Sequence, residues 1–247
     1  GAAAGRGVGG LLVLALLLRG RGGLRLKLSG LLPDMLQIKR IANIGVPAGA
    51  EQLLMRFGMT AYVTTVAALG TKAYAAHQLA LQGESIAFMP GFGFAIAATT
   101  MVGQGLGARR PDQARADGYL AQRMAILFMS AMGVVFFIFA APILDLFIND
   151  PEVVQLGVWP LRLVAFSQPA LATSMVLSGG LRGAGDTRAT MVITSGGLWL
   201  VRLPLAMLLT GPLGLLGAWI AMGLDLQLRG TAVFLRFRSG RWARIKV

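Results

Sequence analysis

The stretch Gly45-Val46-Pro47-Ala48-Gly49-Ala50-Glu51-Gln52-Leu53-Leu54-Met55 decides the fold, because it lies in a long, mainly apolar run from Ile41 to Leu69 that still holds a proline, three glycines and a carboxylate. Roughly 20 mainly apolar residues suffice for a helix to cross a bilayer, and this run exceeds that. Proline removes a helix hydrogen bond and is rare inside soluble helices, whereas in a membrane bundle neighbouring helices re-satisfy the freed backbone group. Five more runs of spanning length follow: Ala73 to Leu106, Tyr119 to Ile148, Val153 to Gly180, Thr190 to Thr210 and Leu215 to Phe237. Lipid-exposed backbone must close its own hydrogen bonds, and no short alternating segments of barrel type occur. The expected fold class is all-α, an integral membrane six-helix bundle.

Composition points the same way. Apolar residues make up 55% of the 247 residues and charged residues 13%, against about 45–50% and about 25% in an ordinary soluble domain. Mean hydropathy is +0.69. The formal charge of +13 gathers in short loops with no interleaved stacking aromatics, which argues against nucleic acid as a partner and for the lipid bilayer. The absence of cysteine excludes disulfides and thiol chemistry, and a single histidine, His77, disfavours a His/Cys metal site or bis-histidine haem ligation. No metal is expected.

The connections sort by charge. Basic residues fill Leu18 to Arg40, Gly107 to Gly118, the turn around Gly183 and the tail after Phe237, while the loops between them hold Lys72 alone, the acidic Asn149-Asp150-Pro151-Glu152, or no charge at Gly211-Pro212-Leu213-Gly214. By the positive-inside rule this alternation puts both ends of the six-span unit in the cytoplasm of a multi-pass inner (plasma) membrane protein. Four segments are expected: 1–19, a truncated transmembrane helix; 20–40, a cytoplasmic basic linker; 41–238, the six-helix lobe; and 239–247, a cytoplasmic basic tail. Within the linker, Pro33-Asp34 followed by Met35, Leu36, Ile38 and Ile41 predicts a short surface-lying amphipathic helix.

Ala75-Ala76-His77-Gln78, Met89-Pro90-Gly91-Phe92-Gly93, Val102-Gly103-Gln104-Gly105-Leu106-Gly107-Ala108 and Leu181-Arg182-Gly183-Ala184-Gly185-Asp186-Thr187-Arg188 follow the opening stretch in order. Together they resemble the C-terminal lobe of a MATE (multidrug and toxic compound extrusion) transporter, and Trp199 to Leu205, Gly214 to Trp219 and Arg236 to Trp242 are similar to its last two helices and tail. The resemblance runs from Gly45 to the C-terminus. It implies one lobe of a twelve-helix fold, with residues 1–19 as the end of the N-terminal lobe, and secondary active efflux of organic, mostly cationic, small molecules driven by H+ or Na+. The missing N-terminal lobe is then a partner, and no cofactor is implied. Some branches place acids eight positions after the proline of the seventh helix and upstream of Leu-Arg-Gly in the tenth; here those positions hold Met55 and Leu171. The coupling ion is accordingly expected in the missing lobe.

Ionisable groups inside spans are costly and are functional candidates by default. Glu51, with Gln52 beside it, lies one turn past Pro47; it is a candidate for proton or cation contact or for a gate-stabilising interaction. His77 and Glu84, seven apart, share one stripe of the second span, while Gln78 and Gln82 share another. Glu84 and Gln82 are expected to line a cavity, and His77 is a proton-carrying candidate. Gln168, just before Pro169, faces the same interior if a kink opens there; its simpler role is an interhelical hydrogen bond. Pro47, Pro90 and Pro169 are the kink candidates. Asp225 and Arg229, at i,i+4, are expected to form a helix-surface ion pair, Arg202 to be structural, and Asp186 to be a cap or loop partner. Two alternatives remain open: a lipid-linked saccharide flippase, which a much more basic cavity would favour, and a polytopic membrane enzyme subunit.

Overall fold

Helix boundaries follow the turn chemistry. In the computed structural model, which describes residues 2–19 and 35–245, α1 spans Ala2–Arg19, α2 Met35–Ala67, α3 Thr71–Gly107 and α4 Pro111–Ile138. After them come α5 Ala140–Asp145, α6 Pro151–Gly183, α7 Thr187–Gly196, α8 Leu203–Leu213 and α9 Leu215–Arg238. A π-helical stretch, Gly197–Arg202, joins α7 to α8, and a 3-10 turn follows at Arg241–Arg244. Among the described residues there is no strand.

The chain divides into two units, residues 1–42 and 43–247. The first contains α1, whose Val8, Leu11, Leu12 and Val13 are exposed. Residues 20–34, most of the basic linker, lie outside the described residues. A separate surface helix over Met35 to Ile41 does not occur: α2 begins at Met35 and runs on, since neither glycine nor proline interrupts the sequence before Gly45.

The second unit holds the six expected arms in order, with α4 and α5 forming one and α7, the π stretch and α8 another. Pro111 and Pro151 open α4 and α6, where a missing N–H costs nothing. Asp150 caps α6 by accepting from the backbone N–H of Glu152 at 3.0 Å and Val153 at 3.4 Å. Gly214 turns α8 into α9 with φ of 56°, a conformation that costs glycine little.

The helices run on through Pro47, Pro90 and Pro169. The helical pattern is interrupted at Phe139, three residues before Pro142, and changes to π-helical turns before Pro204. Each proline leaves a carbonyl one turn back without its donor. Beside the first, Arg162 Nε donates to the carbonyl of Phe137 at 3.1 Å.

α6 packs against α3, α4 and α9. Its seam with α3 is built from small residues: a methyl added at Gly179 or Gly183 would run into the backbone carbonyl of Ala95 or Thr99. Such close approach is how helices associate in lipid, where apolar burial gives no advantage over the solvent. Outward-facing side chains are correspondingly apolar, among them Leu127, Phe166, Leu200 and Leu208. By length and composition, Thr71–Gly107, Pro111–Ile138 and Thr187–Leu213 are apolar enough to cross a membrane. The other long arms of this unit, α2, α6 and α9, carry charges that meet at one place.

Candidate functional site

That place is a cavity of about 520 Å³ between α2 on one side and α3, α6, α9 and the π-helical stretch on the other. One face of α2 supplies Glu51, Gln52, Met55, Met59 and Tyr62. A single stripe of α3 supplies His77, Leu81, Glu84, Phe88 and Phe92, and α6 adds Leu171, Ser174, Met175, Ser178 and Arg182. Thr194, Arg202, Met222 and Arg229 complete the wall. Its surface is mainly apolar, with methionines and aromatic rings on several sides and ionic groups at defined points, the pattern of a small-molecule site.

Glu51 is 4% exposed and fully engaged. Its Oε1 accepts from Arg182 Nη2 at 2.5 Å and Thr194 Oγ1 at 2.8 Å, and its Oε2 lies 3.4 Å from Thr190 Oγ1. The same hydroxyls lie 2.8 Å from Thr187 O and 2.7 Å from Thr190 O. A hydroxyl has one proton, so Arg182 is the constant partner of the carboxylate. This pair ties α2 to α6, and Arg188 Nη2 donating to Asn43 Oδ1 at 2.8 Å ties α2 to α7 close by.

Asp225, fully buried on α9, accepts through Oδ2 from Arg202 Nε at 2.9 Å and Arg229 Nη2 at 2.5 Å. The expected helix-surface pair is therefore an internal triad: α9 turns this face inward against Gly197, where any larger residue would strike Asp225 Oδ1 and the Arg229 stem. Arg202 lies over the ring of Tyr62, 5.5 Å from its centroid, and its Nη1 is 3.7 Å from Met59 Sδ. Tyr62 donates its hydroxyl to the carbonyl of Ala218 at 2.8 Å.

Glu84, 8% exposed, has no hydrogen bond or ion pair among the described residues, and it lines the cavity together with Arg202. His77 is fully buried between Tyr62 and Trp219, edge-on at 5.8 and 5.6 Å, and neither ring nitrogen has a partner there.

Of the sequence candidates, Glu51, Gln52, His77 and Glu84 meet at the cavity. Gln82 does not: it is exposed, because two residues on a helix are about 200° apart and Gln82 cannot share a wall with Glu84. Gln168 is buried against Gly133 of α4, outside the lining, with both amide atoms unpartnered among the described residues, so the expected interhelical hydrogen bond is missing. Asp186 makes no cap; it accepts from Arg236 Nε at 2.8 Å. Arg182, Arg202, Arg229, Tyr62 and the threonines of α7 were not singled out as cavity residues from sequence. Met55 and Leu171 both line the cavity.

The MatE family model matches residues 47–208, which takes in α3, α4, α5 and α6 entire and most of α2 and α8. This chain belongs to the MatE family. It is 33% identical to a probable multidrug resistance protein NorM of Thermotoga maritima, over 83% of this chain and 44% of that protein. It is 32% identical to the multidrug resistance protein MdtK of Yersinia pestis, over 83% of this chain and 46% of that protein. A crystal structure of MATE in complex with MaL6 superposes with a TM-score of 0.84 at 20% identity, covering 93% of this chain and 52% of that one. The chain thus spans about half the length of the relatives it matches. MatE membership makes the chain part of a membrane transport family rather than of an enzyme, so the enzyme-subunit alternative falls away.

Proposed function

We propose that this chain is the C-terminal lobe of an inner-membrane secondary transporter that exports organic, mainly cationic, compounds in exchange for H+ or Na+. The observation that carries the reading is the cavity of about 520 Å³ whose aromatic and thioether walls hold one carboxylate, Glu84, without a partner among the described residues. Such walls accept many flat apolar cations, and a lone carboxylate selects for positive charge. Names of relatives such as NorM and MdtK, multidrug resistance proteins, support it.

In this reading Glu51 holds the gate through Arg182, Gln52 and His77 contact substrate, and the second lobe, facing this cavity, binds the coupling ion. The apolar Met55 and Leu171 support that last point. The positive-inside pattern supports a cytoplasmic C-terminus. Three arginines in the wall suit the saccharide alternative only until the carboxylates are counted: Glu51 and Asp225 pair with all three, and Glu84 adds a third carboxylate.

The test is Glu84→Gln in the full-length transporter, expressed in cells stripped of their own pumps, with ethidium accumulation as the readout. Loss of most ethidium efflux, with an uncharged dye still exported, is expected. Unchanged ethidium efflux by a normally expressed variant refutes the assignment.

A further inference from the structure

We propose that Arg202 is a tethered internal cation that takes the place of the transported one, exchanging between Asp225 and Glu84. The proposal rests on the reading of Glu84 as the substrate-facing carboxylate and adds what neutralises it when the cavity is empty.

Three observations carry it. First, Asp225 has two guanidinium partners on one oxygen, Arg202 at 2.9 Å and Arg229 at 2.5 Å. If Arg202 leaves, Asp225 remains neutralised by Arg229, so the move avoids the usual penalty of stranding a buried charge. Second, Arg202 is bonded to Asp225 through Nε alone, while its guanidinium lies over the Tyr62 ring and its Nη1 has only the weak acceptor Met59 Sδ, at 3.7 Å. Tyr62 from α2, His77 and Glu84 from α3, and Arg229 from α9 line the same cavity, and Asp225 from α9 holds Arg202 from behind. Third, Arg202 is the last residue of a π-helical stretch, just ahead of Pro204, where the backbone hydrogen-bond ladder is already irregular. A side chain there changes direction with less loss of helix bonding than one in a regular helix.

Charge balance gives the exchange its sense. Arg202 and Arg229 balance Asp225 and Glu84, while Glu51 and Arg182 form a closed pair. The empty cavity is neutral with Glu84 ionised and Arg202 turned to it. An arriving organic cation takes Glu84 and Arg202 returns to Asp225, which leaves the set one positive charge in excess and favours the cation's release. Cation and Arg202 compete for one carboxylate, which keeps binding weak enough for release.

The test uses the full-length transporter purified in detergent and reconstituted in liposomes. Binding of tetraphenylphosphonium is measured by equilibrium dialysis and its export by flux. Arg202→Gln is expected to bind the cation roughly tenfold more tightly, a typical coupling magnitude, and to export it more slowly. The gain is expected to vanish in the Arg202→Gln/Glu84→Gln double variant. Unchanged or weaker cation binding by folded Arg202→Gln, or a gain that survives the double substitution, overturns the exchange. Should Arg202→Gln fail to fold, Asp225→Asn supplies the opposite test: it frees Arg202 for Glu84 and is expected to weaken cation binding, and equal or tighter binding overturns the proposal. Glu84→Gln alone separates the two ideas. If it leaves cation binding intact, the function assigned to Glu84 fails; if it weakens binding while Arg202→Gln does nothing, only the exchange fails.

Discussion

Removing either member of the Glu51–Arg182 pair breaks the same contact, yet the two removals are expected to cost very different amounts. Glu51 is 4% exposed, whereas the Arg182 side chain is 39% exposed. Arg182→Gln leaves a buried carboxylate held by hydroxyls that have other acceptors to serve, and stranding one partner of a buried pair costs about 3–5 kcal/mol. Glu51→Gln leaves a guanidinium that can turn to water and an amide that still accepts from Arg182 and Thr194. That loss is nearer 1.5 kcal/mol, the difference a charge-assisted hydrogen bond makes. The arginine substitution is thus expected to destabilise by about 1.5–3.5 kcal/mol beyond the glutamate one. Denaturant unfolding of the full-length protein in mixed micelles, followed by tryptophan fluorescence, measures both, and the double variant closes the cycle. Equal costs, or a larger cost for Glu51→Gln, would refute the asymmetry and with it the idea that burial of Glu51 is what makes Arg182 necessary.

Two further outcomes follow from packing. Gly183→Ala puts a methyl into the Thr99 carbonyl and is expected to cost about 1–3 kcal/mol by overpacking; Gly93→Ala, with open space around it, is expected to be neutral or to stabilise by up to about 1 kcal/mol, and the same unfolding assay separates them. Gln168→Leu replaces an unpartnered buried amide by an apolar group of similar size, so unchanged or higher stability and full efflux are expected. A large loss of efflux with stability intact would return Gln168 to the transport machinery.

Hydropathy and loop charge were enough to locate all six arms, because each span is one long apolar run closed by glycine, proline or arginine. The stripe joining His77 and Glu84 was legible too, since seven residues make nearly two full turns. The same arithmetic excluded Gln82 from that stripe. α2, α3 and α6 run on through Pro47, Pro90 and Pro169, since a proline marks a lost hydrogen bond at which a helix can bend without ending. The triad was partly legible. Arg202 stands 12 residues before Gly214 and Asp225 stands 11 after it, so a tight turn at Gly214 sets the two opposite charges at one depth on adjacent helices. Attention to the i,i+4 pair alone hid this, since that spacing says which residues are neighbours on one helix and nothing about which way their shared face points. Glu51 and Arg182, 131 residues apart, carry no such local signal.

The arrangement of these charges bears on how the helical bundle can change state. Glu51, Asp225, Arg202 and Arg229 are all buried, and in hydrocarbon each would be expelled or neutralised if it stood alone. They persist because α2, α6 and α9 turn their charged faces toward one cavity, where every arginine finds a carboxylate within the bundle. The apolar character these helices give up at those positions is recovered by the outward surface of the others. A neutral set can change state without strong penalty in two ways only: partners are exchanged within it, or one cation enters as another leaves. Adding a fixed charge would strand a partner. In the proposed function Glu84, the member without a hydrogen-bond partner among the described residues, is the point at which either change registers, so the response falls on α3 while α2, α6 and α9 hold Glu51, Arg182, Asp225 and Arg229 in place.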